Sequence, residues 1–268
     1  MIDFHTHIFP EKIAKGTLDF LGEKCGVDPF TNGTASGLSD STKEAGLDLS
    51  VVLPVVTKPK QFLSINEFAL QVQSERLLSF GGIHPETSDY KSELNFIAES
   101  GLKGIKLHPD YQGTFIDDIK YERIIDRASE LGLVVVIHSG YDPGYPELIH
   151  CAPSRAAKML DDVTPEKVVL AHMGGYNVEA DGSLGWREME EYLLGRDVYL
   201  DTALVLDKMP KDTLQRIIEQ HGSDKILFAT DSPWAGQSEF VEYMSTLPIA
   251  EMDRQKIFHE NAAKLLTL

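Results

Sequence analysis

The stretch MIDFHTH, residues 1–7, decides how the fold of this chain is interpreted. It is typical of a short strand, and a strand sends alternate side chains to the same face. His5 and His7 therefore point the same way, about 7 Å apart at the usual rise per residue. Two imidazoles on one rigid face can share a metal ion. A pair of ordinary histidines on an edge strand gives the same pattern, so this stretch alone leaves both interpretations open.

Candidate metal ligands also stand at the ends of three later apolar runs. His138, His172 and Asp231 each stand at the end of such a run, and each run is typical of a buried parallel strand. The carboxyl ends of the strands of a closed parallel barrel converge on one face, which carries the active site. The recurrence therefore predicts that these side chains meet His5 and His7 around one cation.

Eight strand-like segments alternate with helical segments along the chain. The predicted strands are residues 1–7, 49–56, 77–83, 102–107, 133–138, 168–172, 198–201 and 226–231. The predicted helices are residues 39–45, 61–76, 88–100, 117–131, 153–160, 186–194, 211–221, 239–244 and 251–266.

This order predicts an α/β fold, a (β/α)8 TIM barrel, as a single domain over residues 1–268. Right-handed crossovers between successive strands favour a barrel, and a barrel of roughly 250 residues suits the chain length. A doubly wound open sheet is the alternative. Against it, a histidine pair stands where a Gly-rich phosphate turn would follow the first strand.

Residues 8–38 form an unusually long connection between the first two strands. The segment contains Phe9, Phe20 and Phe30, and this aromatic content argues for packing rather than disorder. Connections of this length in compact domains are usually functional. We predict that residues 8–38 form an active-site loop over the mouth of the barrel.

Composition excludes several classes of partner. The formal charge is −17, and such a surface repels phosphate backbones, so we expect no nucleic-acid partner. No apolar run approaches the roughly 20 residues that span a membrane, and the start lacks a signal-peptide pattern. Cys25 and Cys151 lack the CxxC spacing of a redox or zinc motif. We expect a cytoplasmic protein with a small-molecule substrate and no membrane partner; a homo-oligomer is left open.

The ordered set of Asp3-Phe4-His5-Thr6-His7, His138, His172 and Asp231 resembles the amidohydrolase superfamily. The closer resemblance is to the amidohydrolase-related (amidohydrolase 2) branch of metal-dependent TIM-barrel hydrolases, which includes aminocarboxymuconate-semialdehyde-type decarboxylases. The closing residues 260–266 are similar to the final helix of that branch. The resemblance therefore extends over the whole chain.

The resemblance implies that His5, His7, His138 and Asp231 are ligands of a divalent metal, most often zinc. Three imidazoles and a carboxylate suit zinc, with iron or manganese as alternatives. Such a metal lowers the pKa of a bound water to roughly 7, and Asp231 would act as general base. His172 would bind a second ion in a two-metal site, or serve as an acid/base group in a one-metal site; we favour one ion.

Lys106 has two interpretations on the predicted fourth strand, where it shares a face with His108. Some amidohydrolase branches carry a carboxylated lysine on this strand that bridges two metals. The alternative, which we favour, is an ammonium that pairs with a substrate carboxylate. His108, Tyr141 and Arg155 are predicted to contact substrate, the last as a carboxylate fork. His84 and Trp234 are further rim candidates, and His150, His221 and His259 are predicted to be structural.

We predict from these residues a metal-dependent hydrolase, in which a metal-activated water attacks an amide, ester or lactone carbon of a small molecule. The alternative is a non-oxidative decarboxylase of an aromatic or unsaturated carboxylic acid that uses the same metal site. The ligand residues do not separate these two chemistries. A metal-binding scaffold without activity is a third interpretation from a different class.

Overall fold

Eight parallel strands form the centre of the computed structural model, which describes residues 1–268. The strands are β1 Ile2–Thr6, β2 Leu49–Val52, β3 Leu77–Ser79 continued by Gly81–Gly82, β4 Gly104–Leu107, β5 Val134–Ile137, β6 Val168–Leu170, β7 Tyr199–Asp201 and β8 Ile226–Leu227. Each strand pairs in parallel with its neighbour in sequence, and β3 passes from one sheet to the other at Phe80.

The barrel closes where β8 meets β1. The Phe4 N–H donates to Phe228 O at 2.9 Å, and Thr6 bridges to Ser232 in parallel. Closure removes the open edges that an isolated sheet would expose. The predicted (β/α)8 barrel is therefore confirmed.

Helices form the outer layer. They are α1 Glu11–Cys25, α2 Ala35–Glu44, α3 Phe62–Gln71, α4 Tyr90–Glu99, α5 Pro109–Gln112, α6 Ile119–Glu130, α7 Pro153–Asp162, α8 Arg187–Tyr192, α9 Lys211–His221, α10 Gln237–Thr246, α11 Glu251–Gln255 and α12 Asn261–Leu266, with a π-helical turn at Lys256–Glu260. A small antiparallel hairpin joins Asn177–Val178 to Leu184–Gly185. None of the helices combines the length and the apolar character needed to cross a membrane.

Strand side chains alternate between two cores. Along β5, Val134 and Val136 join an inner cluster with Phe4 and Phe80, whereas Val135 belongs to the larger cluster beneath the helices. A strand that is covered on both faces becomes an unbroken apolar run, which is why residues 133–137 lack polar alternation. Because both faces of the strands are apolar, the polar side chains lie at the ends of the strands.

The connection of residues 8–38 contains regular structure. Helix α1 buries Ala14 and Leu18, one turn apart, and ends at Gly26, whose φ of 69° forms a left-handed cap. The segment beyond α1 approaches the later strand ends, because the Phe30 N–H donates to Pro233 O at 2.7 Å. The segment is thus a helix-containing connection rather than a loop along its length. Its role at the site stays a prediction.

Candidate metal centre

Three electron-rich atoms converge beyond the ends of β1 and β8. The Nε2 atoms of His5 and His7 lie 3.1 Å apart. Asp231 Oδ1 lies 3.3 Å from His5 Nε2 and 3.1 Å from His7 Nε2. Ligand atoms about 2.1 Å from a tetrahedral ion are themselves roughly 3.4 Å apart. The spacing of this inner group, His5, His7 and Asp231, therefore suits a transition-metal ion.

The protons of the two rings face away from this convergence point. His5 Nδ1 lies 2.9 Å from Asp201 Oδ2, and His7 Nδ1 lies 2.8 Å from Leu53 O. Both partners only accept hydrogen bonds, so each Nδ1 carries a proton and, in the neutral ring, each Nε2 carries a lone pair. Two lone pairs and a carboxylate oxygen that face one another repel unless a cation lies among them. The inner group thus fits a divalent metal, and a hydrogen bond from Nδ1 of each histidine already fixes the orientation of its ring.

Asp201 is a functional residue that the sequence analysis missed. This fully buried carboxylate holds His5 through Oδ2, and its Oδ1 accepts the backbone N–H groups of His172 at 3.0 Å and Ala203 at 3.1 Å. It therefore orients one candidate ligand and the backbone of another candidate residue. The sequence feature that could have identified Asp201 is its position at the end of β7, because His138, His172 and Asp231 were recognised by the same strand-end position.

A buried network holds Asp231 against β1. Thr230 donates to Asp3 through its N–H at 3.0 Å and its hydroxyl at 2.6 Å, and the Asp231 N–H donates to His5 O at 2.8 Å. Asp231 adopts a φ of 70°, which is costly for a residue with a side chain and is typical of functional sites. Burial works to raise the pKa of Asp231, but attraction between its carboxylate and the protonated forms of His5 and His7 holds the pKa well below its usual range. The carboxylate is ionised at neutral pH.

Lys106 places an ammonium inside this centre. The side chain is fully buried, and its Nζ lies 3.1 Å from His5 Nε2. Burial lowers the pKa of Lys106 to about 8, although the carboxylates of Asp201 and Asp231 act in the opposite direction. Lys106 is the residue of β4 that faces the barrel interior at the level of the inner group.

His172 and His138 form a pair beside the inner group. His172 adopts a φ of 58°, and its Nδ1 donates to Ala203 O at 2.9 Å. Its Nε2 lies 3.0 Å from His138 Nδ1. Burial lowers the pKa of both rings, which are neutral at pH 7. The predicted ligand His138 therefore faces His172 and does not complete the inner group.

An outer group adjoins His138 on the side away from His172, and it contains His108, Asp110, His138 and Asp142. The rings of His108 and His138 stack with centroids 4.0 Å apart and an angle of 8°. Asp110 Oδ2 and Asp142 Oδ2 each lie 3.8 Å from His138 Nε2, and burial raises the pKa of Asp142 to about 6. The sequence analysis missed both carboxylates, which follow β4 and β5 by a few residues.

Two further predicted substrate contacts, Arg155 and Tyr141, belong to neither the inner nor the outer group. Arg155 is 40% exposed on α7, where it pairs with Asp117 Oδ1 at 2.7 Å and lies over the Phe115 ring at 3.9 Å. Its guanidinium is therefore engaged by Asp117 and Phe115, and its contact with substrate stays a prediction. Tyr141 is half-buried and adjoins Asp142, and its ring lies 6.1 Å from that of Tyr176.

The fold and these groups define a metal-dependent barrel enzyme. A model of the family described as amidohydrolase matches residues 2–268, so the chain belongs to that family. A search of curated proteins finds no match.

Solved structures with similar folds cover nearly the whole chain. A 2,6-dihydroxybenzoate decarboxylase with bound 2,6-dihydroxybenzoate has a TM-score of 0.74 at 16% identity, and the match covers 100% of this chain and 99% of that one. A dihydroxybenzoic acid decarboxylase from Polaromonas sp. JS666 with bound manganese has a TM-score of 0.72 at 16% identity over 100% and 96% of the two chains. A putative 2-pyrone-4,6-dicarboxylic acid hydrolase from Pseudomonas putida has a TM-score of 0.67 at 16% identity over 99% and 97%. At these identities the similarity establishes the fold.

Proposed function

We propose that this enzyme catalyses the non-oxidative decarboxylation of an aromatic or unsaturated carboxylic acid. The observation that carries the proposal is the buried Lys106 ammonium, 3.1 Å from His5 Nε2 in the inner group. A buried cation beside a metal centre suits a substrate that brings its own carboxylate. Barrels of similar fold that are named as decarboxylases support this choice over hydrolysis, which the sequence analysis placed first.

The divalent ion is assigned to His5 Nε2, His7 Nε2 and Asp231 Oδ1. Nitrogen and oxygen ligands of this kind accept zinc and also manganese, the ion bound by one of the similar decarboxylases. When bound, the ion supplies a Lewis acid that polarises a substrate oxygen. The predicted ligand roles of His138 and His172, a second ion bound by His172 and the choice of zinc remain predictions.

Lys106 has two tasks in the reaction. Its hydrogen bond to His5 Nε2 is lost when that lone pair serves the ion, and the ammonium is then free to bind a substrate carboxylate. Lys106 also holds a proton that it can transfer to the substrate, whereas Asp231 of the inner group is ionised and holds none. It donates that proton to the substrate carbon, the carbon–carboxylate bond breaks and its electron pair ends in the new C–H bond. Carbon dioxide leaves, and one proton from the solvent restores the Lys106 ammonium, so that the net reaction consumes one substrate carboxylate and one proton.

Hydrolysis is the second candidate, and the protonation states of two groups favour it. Asp231 is a carboxylate and His172 is a neutral imidazole with its lone pair on Nε2. Both are bases, and hydrolysis needs a base that takes a proton from water. The similar fold of a protein named as a putative hydrolase is consistent with this candidate.

Product analysis separates the two candidates. The enzyme loaded with Mn²⁺ or Zn²⁺ is offered a panel of hydroxybenzoates and related carboxylates, and a matched panel of lactones and amides. We expect carbon dioxide release, and one deuterium at the former carboxyl carbon when the reaction runs in D₂O. Lys106→Met should lower turnover by more than about 100-fold, because a positioned proton donor contributes roughly 10²- to 10⁴-fold. Hydrolysis products without carbon dioxide would favour the second candidate.

Lys103→Met is the matched control for this test. It removes the same charge three residues earlier, at a position where the lysine is exposed. Its turnover should equal that of the wild-type enzyme. Equal losses in both variants would show that Lys106 has no specific role in the chemistry.

A further inference from the structure

Asp3 joins β1 to the segment that carries Asp231. The Asp231 N–H donates to His5 O at 2.8 Å, a backbone bond of the kind that pairs two strands. The preceding Thr230 uses the Asp3 side chain instead, donating through its N–H to Oδ1 at 3.0 Å and through its hydroxyl to Oδ2 at 2.6 Å. Thr230 Oγ1 in turn accepts the Ser232 N–H at 3.1 Å. The Asp3 carboxylate therefore holds the residues on both sides of Asp231.

These contacts stabilise the left-handed backbone of Asp231. Its φ of 70° is unfavourable for a residue with a side chain and persists only where the surroundings enforce it. The turn at Asp231 brings its Oδ1 to 3.3 Å from His5 Nε2 and 3.1 Å from His7 Nε2. Relaxation to an extended backbone would move Thr230 and break its hydrogen bonds to Asp3. The place of Asp231 Oδ1 in the inner group thus depends on Asp3.

Gln237, the first residue of α10, holds Asp3 from the other side. Its Nε2 donates to Asp3 Oδ2 at 2.7 Å and to Ser50 Oγ on β2 at 2.9 Å. A carboxylate only accepts hydrogen bonds, so the end of the amide that faces Asp3 is the NH₂ group. Ser50 Oγ lies 2.7 Å from Thr42 Oγ1, which donates to Leu38 O at 2.7 Å. The Ser50 hydroxyl therefore donates to Thr42, and the network ties Asp3 to α2, β2 and α10.

The network specifies a carboxylate at position 3 and an amide at position 237. Asp3 is fully buried and accepts a fourth hydrogen bond from the His5 N–H at 3.3 Å. A buried carboxylate is costly unless donors surround it, as they do here. An amide at position 3 would keep one accepting oxygen, and its NH₂ group would face the NH₂ group of Gln237. That substitution would therefore loosen the contact with Thr230 while it preserves the volume of the side chain.

We propose that Asp3 and Gln237 are positioning residues of the metal centre. Their hydrogen bond fixes Thr230, and Thr230 sets the place of Asp231 Oδ1 opposite the two imidazoles of the inner group. Neither side chain belongs to the inner group, so both act on the ion through Asp231. The proposal rests on the assignment of the ion to the inner group, and it holds for either of the two candidate reactions. Substitutions at these positions should therefore change the affinity for the ion and the geometry of its ligands.

Cobalt binding tests the proposal without a substrate. Metal-free protein is titrated with Co²⁺, whose visible absorption reports both the occupancy of the site and the arrangement of its ligands. Asp3→Asn should weaken binding roughly 10- to 100-fold, the usual cost of losing a partner that orients a ligand, and should change the absorption bands. The exchange Asp3→Asn/Gln237→Glu should recover most of the affinity and the wild-type bands, because an amide at position 3 can donate to a carboxylate at position 237 and to Thr230 Oγ1.

Asn261→Ala is the control for a merely structural effect. Asn261 is buried on α12, and its Nδ2 donates to Ser223 O and Ile226 O at 2.7 Å, at the opposite end of β8. This variant should lose stability in urea and keep the Co²⁺ affinity and bands of the wild-type protein.

Three outcomes would overturn the proposal. They are wild-type affinity and bands in folded Asp3→Asn, an equal loss of affinity in Asn261→Ala, and a loss that the exchange does not recover. If Asp3→Asn does not fold, Gln237→Met replaces it and should weaken Co²⁺ binding and change the bands; unchanged binding would equally overturn the proposal. Unchanged affinity in Asp231→Asn would refute the inner assignment and this proposal together, whichever reaction product analysis shows.

Discussion

Replacing Lys106 by methionine should stabilise the metal-free protein at neutral pH. The ammonium is fully buried, and its pKa is lowered from 10.5 to about 8. A shift of this size corresponds to a cost of about 3 kcal/mol for holding the charged form in the folded protein. Methionine fills a similar volume without charge, but the hydrogen bond to His5 is lost, which offsets about 1 kcal/mol. The variant should therefore gain about 2 kcal/mol in the free energy of unfolding.

The gain should depend on pH in a defined direction. Native Lys106 releases its proton near pH 8, whereas the lysine of the unfolded chain keeps its proton up to about pH 10.5. Between these values the unfolded state binds more protons, so wild-type stability rises with pH. The advantage of Lys106→Met is thus full below pH 8 and shrinks between pH 8 and 10.5.

Urea unfolding in the presence of a chelator measures this difference at several pH values. Lys103→Met, at an exposed lysine, serves as the control and should show no comparable gain. A Lys106→Met protein that is less stable than wild type at pH 7 would refute the reasoning. A difference that does not change with pH would equally show that Lys106 is not a desolvated ammonium.

Three further substitutions test individual residues. Asp201→Asn should weaken Mn²⁺ binding 10- to 100-fold in a titration, because the carboxylate that fixes the His5 ring is lost; unchanged affinity would deny it that role. Asp231→Asn should abolish turnover in the product assay and leave partial metal binding through the two histidines, and normal turnover would rule out its assignment. Arg155→Ala should leave turnover and KM within about two-fold, since its surface ion pair contributes little. A large rise in KM would instead place its guanidinium at the substrate.

The strand ends were the most predictable part of the site. Buried parallel strands give unbroken apolar runs, so the polar residue that ends each run can be recognised in the sequence, as with His138, His172 and Asp231. The residues that these side chains contact could not be recognised in the same way. Asp110 and Asp142 lie beyond the strands in connections, where acidic residues are common, and only the folded chain aims them at His138.

Two features of the fold depended on tertiary contacts that local sequence does not carry. Helix α1 contains Gly16 and Gly22, which weaken the helical pattern, and it buries only one narrow strip. The predicted eighth strand extended to Asp231, but the regular ladder with β7 ends at Leu227, and only single hydrogen bonds and one bridge join residues 228–232 to β1. Beyond that point the backbone turns, and Asp3 takes the Thr230 N–H that a continued strand would use.

Anomalous diffraction at the manganese edge tests the central claim most directly. Crystals of the Mn²⁺-loaded protein should show a peak about 2.2 Å from His5 Nε2, His7 Nε2 and Asp231 Oδ1, the usual range for such ligands. A peak elsewhere in the barrel, with these three atoms unliganded, would contradict the account.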